Sequence, residues 1–186
     1  MGFHTFDAAK AEKLEDDAAR YRNLSAEELL WAIEPAPTDV VADLGSGTGF
    51  YTDDVAPHVD TVYGVDVQAE MHEFYREKGV PENVDLITTE VGDLPFDDDE
   101  LDAAFSTMTY HEFASDAALA ELARVVVPGG RVVVADWSGD GAGAHGPSVE
   151  ERYTPDEATA AFEAAGFAVE FVASRPDTFL LVAVAP

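Results

Sequence analysis

Short apolar runs alternate with helix-forming segments through most of this chain, and this alternation constrains the fold more than any other feature. The predicted strands are Val40–Leu44, Thr61–Val67, Val84–Thr89, Leu101–Thr107 and Arg131–Trp137. Segments with helical patterning separate most of them. Strands that alternate with helices form βαβ units with parallel strands, so the sequence predicts an open, mostly parallel α/β sheet.

Two further strands are predicted near the end of the chain, at Phe167–Ala173 and Thr178–Val184, after a helix over Pro155–Ala165. Only Ser174–Asp177 joins them. This link is too short for a parallel crossover, which needs about a dozen residues or more. The two strands therefore either pair antiparallel or do not pair with each other, which places one antiparallel strand near an edge of the sheet.

The segment before the first strand is predicted to be helical. Asp7–Arg20 is rich in Ala, Lys and Glu, and Ser25–Glu28 has the sequence of a capping box that starts a second helix. Pro35 ends this helix. We therefore expect residues 1–37 to form a helical N-terminal segment and residues 38–186 to form one α/β domain.

The charge of the chain restricts its partners. Ten Lys and Arg residues stand against 38 Asp and Glu residues, for a net charge of −28. Such a surface repels nucleic acid and anionic lipid, so we expect neither as a partner. The acidity reflects either a function that attracts cations or adaptation to concentrated salt. Because the acids are scattered along the whole chain, the second explanation is favoured, and we expect the protein of a halophile.

Several classes of protein are excluded by composition. The chain contains no Cys, which excludes disulfides, thiol catalysis and thiolate metal sites. No apolar run approaches the roughly 18 residues needed to span a bilayer, and Met1–Asp7 lacks the pattern of a signal peptide. The acidic run Asp97–Glu100 lacks the Gly and the distal Glu of an EF-hand and is interpreted as a solvated turn. We expect a soluble cytoplasmic protein without a metal site.

The glycine-rich turn inside Val40–Phe50 carries the most information about function. Gly45, Gly47 and Gly49 allow a tight strand-to-helix turn and a close approach of the backbone to a ligand. The spacing differs from the dinucleotide-binding G-x-G-x-x-G pattern, because Phe50 stands where the third Gly would fall. A nicotinamide-dependent oxidoreductase is therefore the less favoured reading of this loop.

Two carboxylates define the ligand that such a turn would bind. Asp43 precedes the first glycine by two residues, where it would face the pyrophosphate of a dinucleotide unfavourably and attract an ammonium group. Asp66 ends the second predicted strand, 21 residues after Gly45, at a spacing that suits an acid bonded to ribose hydroxyls. The ligand implied is an adenosine with a cationic tail and no phosphate, and S-adenosylmethionine fits this description.

The chain resembles the class I S-adenosylmethionine-dependent methyltransferases, of the small type similar to those of ubiquinone and menaquinone biosynthesis. The resemblance covers about residues 38–186 and implies a Rossmann-like, seven-stranded sheet with helices on both faces. It also implies that the N-terminal helices form a cap over the cofactor. The segments that carry it are Asp43–Gly49, Val65–Met71, Thr89–Asp102, Leu122–Arg131 and Tyr153–Phe167.

The resemblance also assigns roles to single residues. It implies that Asp66 holds the ribose, that Val67 and Met71 line the adenine, and that the backbone of Val91 contacts the ring. Glu90 takes the position of an acid that accepts the adenine amino group, where the family more often has Asp. The cofactor-binding residues implied are Asp43, Gly45, Ser46, Gly47, Asp66, Val67, Met71, Glu90, Val91 and Thr107.

A candidate catalytic residue follows the fourth predicted strand. In relatives the segment Ser106–Phe113 lines the methyl-transfer site, and a His commonly matches His111. We predict that His111 is either a general base or substrate contact, or a structural histidine at the start of a helix. Asp136 and His145 are lesser candidates, and Gly139–Gly146 is either a mobile lid or a linker.

The function implied is transfer of a methyl group from S-adenosylmethionine to a small or medium-sized acceptor through an oxygen, nitrogen or carbon atom, with S-adenosylhomocysteine as product. A non-catalytic subunit that senses the same cofactor, or binds a partner through it, is the alternative. The acceptor, the oligomeric state and the need for a general base are not determined by the sequence, because a fold does not define a function.

Overall fold

Seven strands form one sheet in the computed structural model, which describes residues 6–186. The strands are β1 (Val40–Leu44), β2 (Thr61–Asp66), β3 (Val84–Thr88), β4 (Leu101–Thr107), β5 (Val126–Trp137), β6 (Ala168–Ser174) and β7 (Thr178–Val184). They lie in the order β3-β2-β1-β4-β5-β7-β6. β7 is antiparallel to both of its neighbours and every other neighbouring pair is parallel. The predicted mostly parallel sheet with one antiparallel strand is confirmed.

Seven α-helices accompany the sheet in the described residues. They are α1 (Asp17–Asn23), α2 (Ala26–Ile33), α3 (Phe50–Val55), α4 (Ala69–Lys78), α5 (Tyr110–Phe113), α6 (Asp116–Val125) and α7 (Pro155–Ala164). Shorter 3₁₀ turns cover Ala8–Glu15, Ala56–His58 and Val149–Glu151. None of the described helices is long and apolar enough to cross a membrane.

Two apolar clusters flank the sheet, because successive strand residues point to opposite faces. Val41 of β1 packs with α2 and α3, whereas its neighbour Ala42 packs with α6 and α7. In the same way Val133 of β5 joins the first cluster and Val134 the second. Helices therefore cover both faces, as predicted.

The N-terminal segment is divided where the sequence suggested one helix over Asp7–Arg20. Asp16 adopts an extended backbone, and its side chain accepts from the N–H of Ala19, so it caps α1 and separates it from the preceding 3₁₀ turn. The start of α2 follows the prediction, since the Ser25 side chain accepts from the N–H of Glu28. Residues 1–5 of the predicted N-terminal cap lie outside the described residues.

One strand begins earlier than the sequence suggested. β5 starts at Val126 instead of Arg131, because Leu101 of β4 pairs with Val126 before the register shifts to pair Ala103 with Arg131. The carboxyl ends of β1, β2, β4 and β5 all lie at the same edge of the sheet, since these strands are parallel. Open α/β folds bind their ligands at this edge.

Candidate active site

A cleft of about 1180 Å³ opens at the carboxyl edge of the sheet. Its walls come from the turn after β1, the end of β2, the segment after β3, the segment after β4 and the end of β5. Of the residues predicted to form the site, Gly45, Ser46, Gly47, Asp66, Val67, Met71, Glu90, Val91, Thr107 and His111 line it. The structure thus brings together residues from four separate parts of the chain.

The glycine-rich turn forms the floor of the cleft. The backbone N–H groups of Gly45 and Ser46 both donate to the carbonyl of Val65, at 2.8 and 2.9 Å, which ties the turn to the end of β2. Gly45 has a φ of +78°, and a Cβ placed there would lie 2.3 Å from Cγ2 of Thr109. A glycine is therefore required at this position for two reasons, the left-handed backbone and the close packing of the segment after β4.

Asp66 connects the glycine-rich turn after β1 to the segment after β2. Its Oδ2 accepts from the N–H of Gly47 and its Oδ1 from the N–H of Gln68, both at 2.8 Å. An ionised carboxylate has about four lone-pair sites, so two backbone donors leave capacity for two hydroxyl donors. The carboxylate is held rigidly and can still bind a diol.

An apolar wall stands beside Asp66. Val67 is 47% exposed, an unusual degree for a valine, while Met71 and Val91 are buried behind it. Glu90 is exposed at the rim of the same wall. This arrangement suits a flat, apolar ring with a hydrogen-bond donor at its edge.

Asp43 does not line the cleft. Its side chain is 1% exposed and points toward α3, where Oδ2 accepts from the hydroxyl of Thr52 at 2.6 Å. Its Oδ1 is buried and makes no hydrogen bond within residues 6–186. Burial raises the pKa of Asp43 to about 7, although Thr52 and the nearby charge of Arg20 act in the opposite direction.

Arg20 lines the cleft on the side of the glycine-rich turn, and the sequence analysis did not identify it. Its guanidinium lies 4.8 Å from the ring centroid of Tyr51 and 5.4 Å from that of Phe50. Its Nε is buried and without a hydrogen bond in the part of the chain that the structure describes. Burial lowers the pKa of Arg20 from its ordinary value, while the surrounding negative groups partly offset this effect.

His111 lines the cleft and is hydrogen-bonded to Asp136 behind it. Nδ1 of His111 lies 3.0 Å from both carboxylate oxygens of Asp136, and its backbone N–H donates to Oδ2 at 2.7 Å. The N–H of Trp137 donates to Oδ1 at 2.8 Å, so the carboxylate is fixed as well. A neutral His111 that donates from Nδ1 to Asp136 keeps Nε2 as a proton acceptor.

The protonated form of His111 is stabilised by its surroundings. Burial lowers the pKa of this imidazole, but the hydrogen bond to Asp136 and the charges of Asp136, Glu112 and Glu151 outweigh burial, so the net shift is upward. His111 and Asp136 were predicted as separate candidates and not as a pair. The available signal was their placement at the ends of β4 and β5, which are neighbours in the sheet.

Glu112 is a further residue of the cleft that sequence reasoning missed. Its Oε1 lies 3.9 Å from Nε2 of His111. Burial raises the pKa of Glu112 to about 7, and the charges of Asp66 and Asp136 add to this shift, while His111 and the N–H of Phe6 oppose it. A carboxyl with this pKa can exchange a proton near neutral pH.

The loop after β5 is held against the cleft by a single buried arginine. The guanidinium of Arg152 donates to the carbonyl of Pro147 at 2.7 and 3.1 Å and also to the carbonyl of His145. Gly146 and Pro147 line the cleft together with Trp137, whereas the side chain of His145 does not. Of the segment Gly139–Gly146, predicted as a lid or a linker, only Gly146 lines the cleft.

No group of three or more His, Asp or Glu side chains suited to a metal ion occurs within residues 6–186. In the acidic run Asp97–Glu100, Asp98 pairs with Arg124 at 2.8 Å.

Comparison with known proteins identifies the family. Residues 42–134 match the model of a methyltransferase domain. The chain is 30% identical to a solved S-adenosylmethionine-dependent methyltransferase from Aquifex aeolicus, with a TM-score of 0.86 over 98% of this chain and 100% of that chain. It is also 36% identical to the demethylmenaquinone methyltransferase of Corynebacterium kroppenstedtii over 107 residues, which are 57% of this chain and 45% of that protein.

A third similarity concerns a structure of the complex between the Trm112 methyltransferase activator of Haloferax volcanii and a methyltransferase. The TM-score is 0.81 at 23% identity, over 98% of this chain and 100% of that chain, and this likeness shows the fold alone. The match to the Corynebacterium protein spans less than half of that relative's length.

Proposed function

The chain belongs to the family of S-adenosylmethionine-dependent methyltransferases, and we propose that it transfers the methyl group to a small-molecule acceptor bound beside His111. One observation carries this proposal. The residues suited to the cofactor line the same cleft as His111, whose Nδ1 is held by Asp136. A cofactor and an acceptor that share this cleft can therefore meet at the imidazole.

The described residues suit the adenosine half of the cofactor. Asp66 has the free lone pairs needed for two ribose hydroxyls. Val67, Met71 and Val91 supply the apolar wall for the adenine ring, and Glu90 supplies an acceptor for its amino group. One wall of the cleft thus offers an exposed valine, buried apolar side chains and two carboxylates, which together match an adenosine.

The other half of the cofactor carries an ammonium and a carboxylate. We assign the carboxylate to Arg20, whose buried Nε has no hydrogen bond within residues 6–186. The backbone of Gly45, Ser46 and Gly47 forms the surface under the amino-acid moiety. Asp43 acts from beneath this surface through its charge, because its side chain does not line the cleft.

When bound, S-adenosylmethionine supplies an electrophilic methyl group on a sulfonium sulfur. His111 takes the proton of the acceptor through Nε2, while Asp136 orients the imidazole and stabilises its protonated form. General-base catalysis of this kind contributes about 10²–10⁴-fold to a rate. Most of the remaining acceleration comes from positioning, which the rigid walls of the cleft provide.

A small molecule fits this chain better than a nucleic acid. The net charge of −28 opposes contact with a phosphate backbone. Among the described residues that line the cleft, only Arg20 and His111 have basic side chains. We further propose that residues 6–37 cover the cofactor, since Leu14 and Arg20 line the cleft. We also propose that the protein works in the cytoplasm of a halophile, because its acidic charge is in large excess.

The test combines binding and turnover. We expect S-adenosylhomocysteine to bind in a titration calorimeter, and we expect its formation from S-adenosylmethionine with at least one member of a panel of amines, phenols and quinols. His111→Gln should keep the binding and lose the turnover. Failure of S-adenosylhomocysteine to bind would contradict the proposal, whereas binding without turnover of any acceptor would favour the non-catalytic alternative.

A further inference from the structure

We call the part of the cleft that is not lined by the proposed cofactor-binding residues the acceptor end. The residues there include three aromatic residues, one proline, one imidazole and two carboxyls. They are Phe6, Phe113, Trp137, Pro147, His111, Glu112 and Glu151. An acceptor with an aromatic ring and one polar group matches this composition, because aromatic rings pack well against one another.

Two of these polar groups, His111 and Glu112, lie close together. Nε2 of His111 makes no hydrogen bond within residues 6–186, although the side chain is only 9% exposed. Oε1 of Glu112 lies 3.9 Å away from this nitrogen, which is too far for a direct hydrogen bond. One donor atom about 2.9 Å from each of them, beside the line that joins them, could hydrogen-bond to both.

The charge of the Glu112 carboxylate determines which polar group of an acceptor would be favoured beside it. Glu112 is 17% exposed at its side chain and has no cation nearer than the His111 imidazole, since no Lys or Arg within residues 6–186 lies within 4 Å of its carboxylate. A buried carboxylate is stabilised by a cation and destabilised by a second anion. An ammonium group would be held there, a hydroxyl would be tolerated, and a carboxylate would be repelled.

We propose that the acceptor is an arylalkyl amine, held as its ammonium form by Glu112 and deprotonated by His111 before it attacks the methyl group. This inference rests on the proposed function and specifies its acceptor. An amine that is protonated near neutral pH has no lone pair for attack, so it needs both a site for its cationic form and a nearby base. Glu112 supplies the site for the cation and His111 supplies the base.

The proposed step balances. The ammonium nitrogen gives one proton to Nε2 of His111, which becomes an imidazolium paired with Asp136. The nitrogen lone pair then forms the new bond to the methyl carbon as the carbon–sulfur bond breaks, and the positive charge passes from sulfur to nitrogen. The imidazolium returns its proton to solvent, for which Glu112 at the same wall is a carrier.

Three probes that differ only at the tail test the charge preference directly. Phenethylamine, 2-phenylethanol and 3-phenylpropanoate share one ring and carry an ammonium, a hydroxyl and a carboxylate. Their binding to the full chain saturated with S-adenosylhomocysteine is measured by calorimetry, so the readout does not depend on turnover. We expect the amine to bind about tenfold or more tightly than the alcohol, as for other hydrogen bonds to charged groups, and the carboxylate to bind most weakly.

Glu112→Gln removes the charge and keeps an oxygen that can accept from Phe6. We expect it to lower the affinity for phenethylamine by about tenfold or more, while the affinity for 2-phenylethanol stays unchanged. Glu150→Gln is the matched control, because Glu150 is exposed and does not line the cleft. It should leave all three affinities unchanged, and unchanged binding of S-adenosylhomocysteine shows that each variant is folded.

The outcomes separate this inference from the proposed function. Equal binding of amine and alcohol, an amine affinity that Glu112→Gln does not lower, or no binding of any probe to the S-adenosylhomocysteine complex would each overturn the inference. In all three cases the cofactor part of the proposed function stands. Failure of the unmodified chain to bind S-adenosylhomocysteine would instead contradict the proposed function itself.

Discussion

Asp136 accepts two hydrogen bonds from one residue, since both Nδ1 and the backbone N–H of His111 lie within 3.0 Å of its carboxylate. The two residues come from different parts of the chain, one from α5 after β4 and the other from the end of β5. The double contact fixes the orientation of the imidazole. It leaves Nε2 as the only ring atom available to a ligand.

The first prediction concerns the charge of this pair. Because the folded-state pKa of His111 is raised, its protonation stabilises the fold fully below the unfolded value of about 6.5, and this stabilisation is lost as the pH rises through the folded value. Asp136→Asn should lower the pKa of His111 and remove this part of the pH dependence. Denaturation at a series of pH values, with an NMR titration of the histidines, measures both effects. An unchanged titration of His111 would contradict the pairing.

The second prediction concerns cofactor affinity. Asp66→Ala removes a carboxylate that holds Gly47 and Gln68 and is proposed to hold the ribose. Binding of S-adenosylhomocysteine should weaken by a few kcal/mol, since hydrogen bonds to charged groups contribute about 1.5–3 kcal/mol each. Asp85→Ala, on the exposed side of β3, is the control. Calorimetry that finds equal affinities for the two variants would remove Asp66 from the site.

The third prediction concerns a buried carboxyl. The folded-state pKa of Asp43 is about 7 because of burial, against an ordinary value of 3.8, so ionising Asp43 opposes folding. Its contribution to stability should therefore decrease as the pH rises between these values, by up to about 1.4 kcal/mol per pH unit. Asp43→Asn keeps an oxygen for Thr52 and should remove this decrease in the cofactor-free protein. If the free energy of unfolding of the two proteins depends on pH in the same way, Asp43 is not the cause of the decrease.

The fourth prediction separates backbone strain from packing in the glycine-rich turn. Gly45→Ala introduces both an unfavourable φ and a Cβ 2.3 Å from Cγ2 of Thr109. Gly79→Ala places an alanine at a positive φ without a steric clash, since a Cβ there meets nothing within 4 Å. We expect both variants to lose about 1 kcal/mol or more from strain, and Gly45→Ala to lose more and to bind S-adenosylhomocysteine less tightly. Equal losses of stability would argue against the close packing of Thr109.

The fifth prediction concerns salt. The net charge of −28 produces self-repulsion that decreases as the Debye length falls to about 3 Å at 1 M salt. The melting temperature should therefore rise steeply from low to molar KCl. A melting temperature that stays constant over this range would contradict adaptation to a halophile's cytoplasm.

Local signals explain why the sheet could be predicted. β1, β4 and β7 have the predicted bounds, because each is a compact apolar run between turn residues. The short link between β6 and β7 excluded a parallel pair and left either antiparallel pairing or none, and the structure shows the antiparallel pair. The break at Asp16 was missed because Asp is acceptable within a helix and also an effective cap, and only its neighbours decide between the two.

Residues of the candidate site that belong to a local motif could be predicted from the sequence. Contacts between residues of different elements could not. The glycine-rich turn and Asp66 could be recognised from spacing. Arg20, Glu112 and the partnership of His111 with Asp136 could not, because each depends on which elements lie side by side at the carboxyl edge. The direction of the Asp43 side chain also follows from packing, since the same strand end could turn it toward the cleft or toward α3.

The amino-acid sequence by itself determined the alternation of strands and helices, the turn that follows the first strand and the excess of acidic charge, since these are properties of neighbouring residues and of composition. Only the tertiary structure decided which carboxylates face the cleft and which groups are hydrogen-bonded to each other. The physical reason is that a pKa and a hydrogen bond depend on distance and burial. Residues that are far apart in the chain form hydrogen bonds and shift each other's pKa values only when the sheet brings the strand ends together.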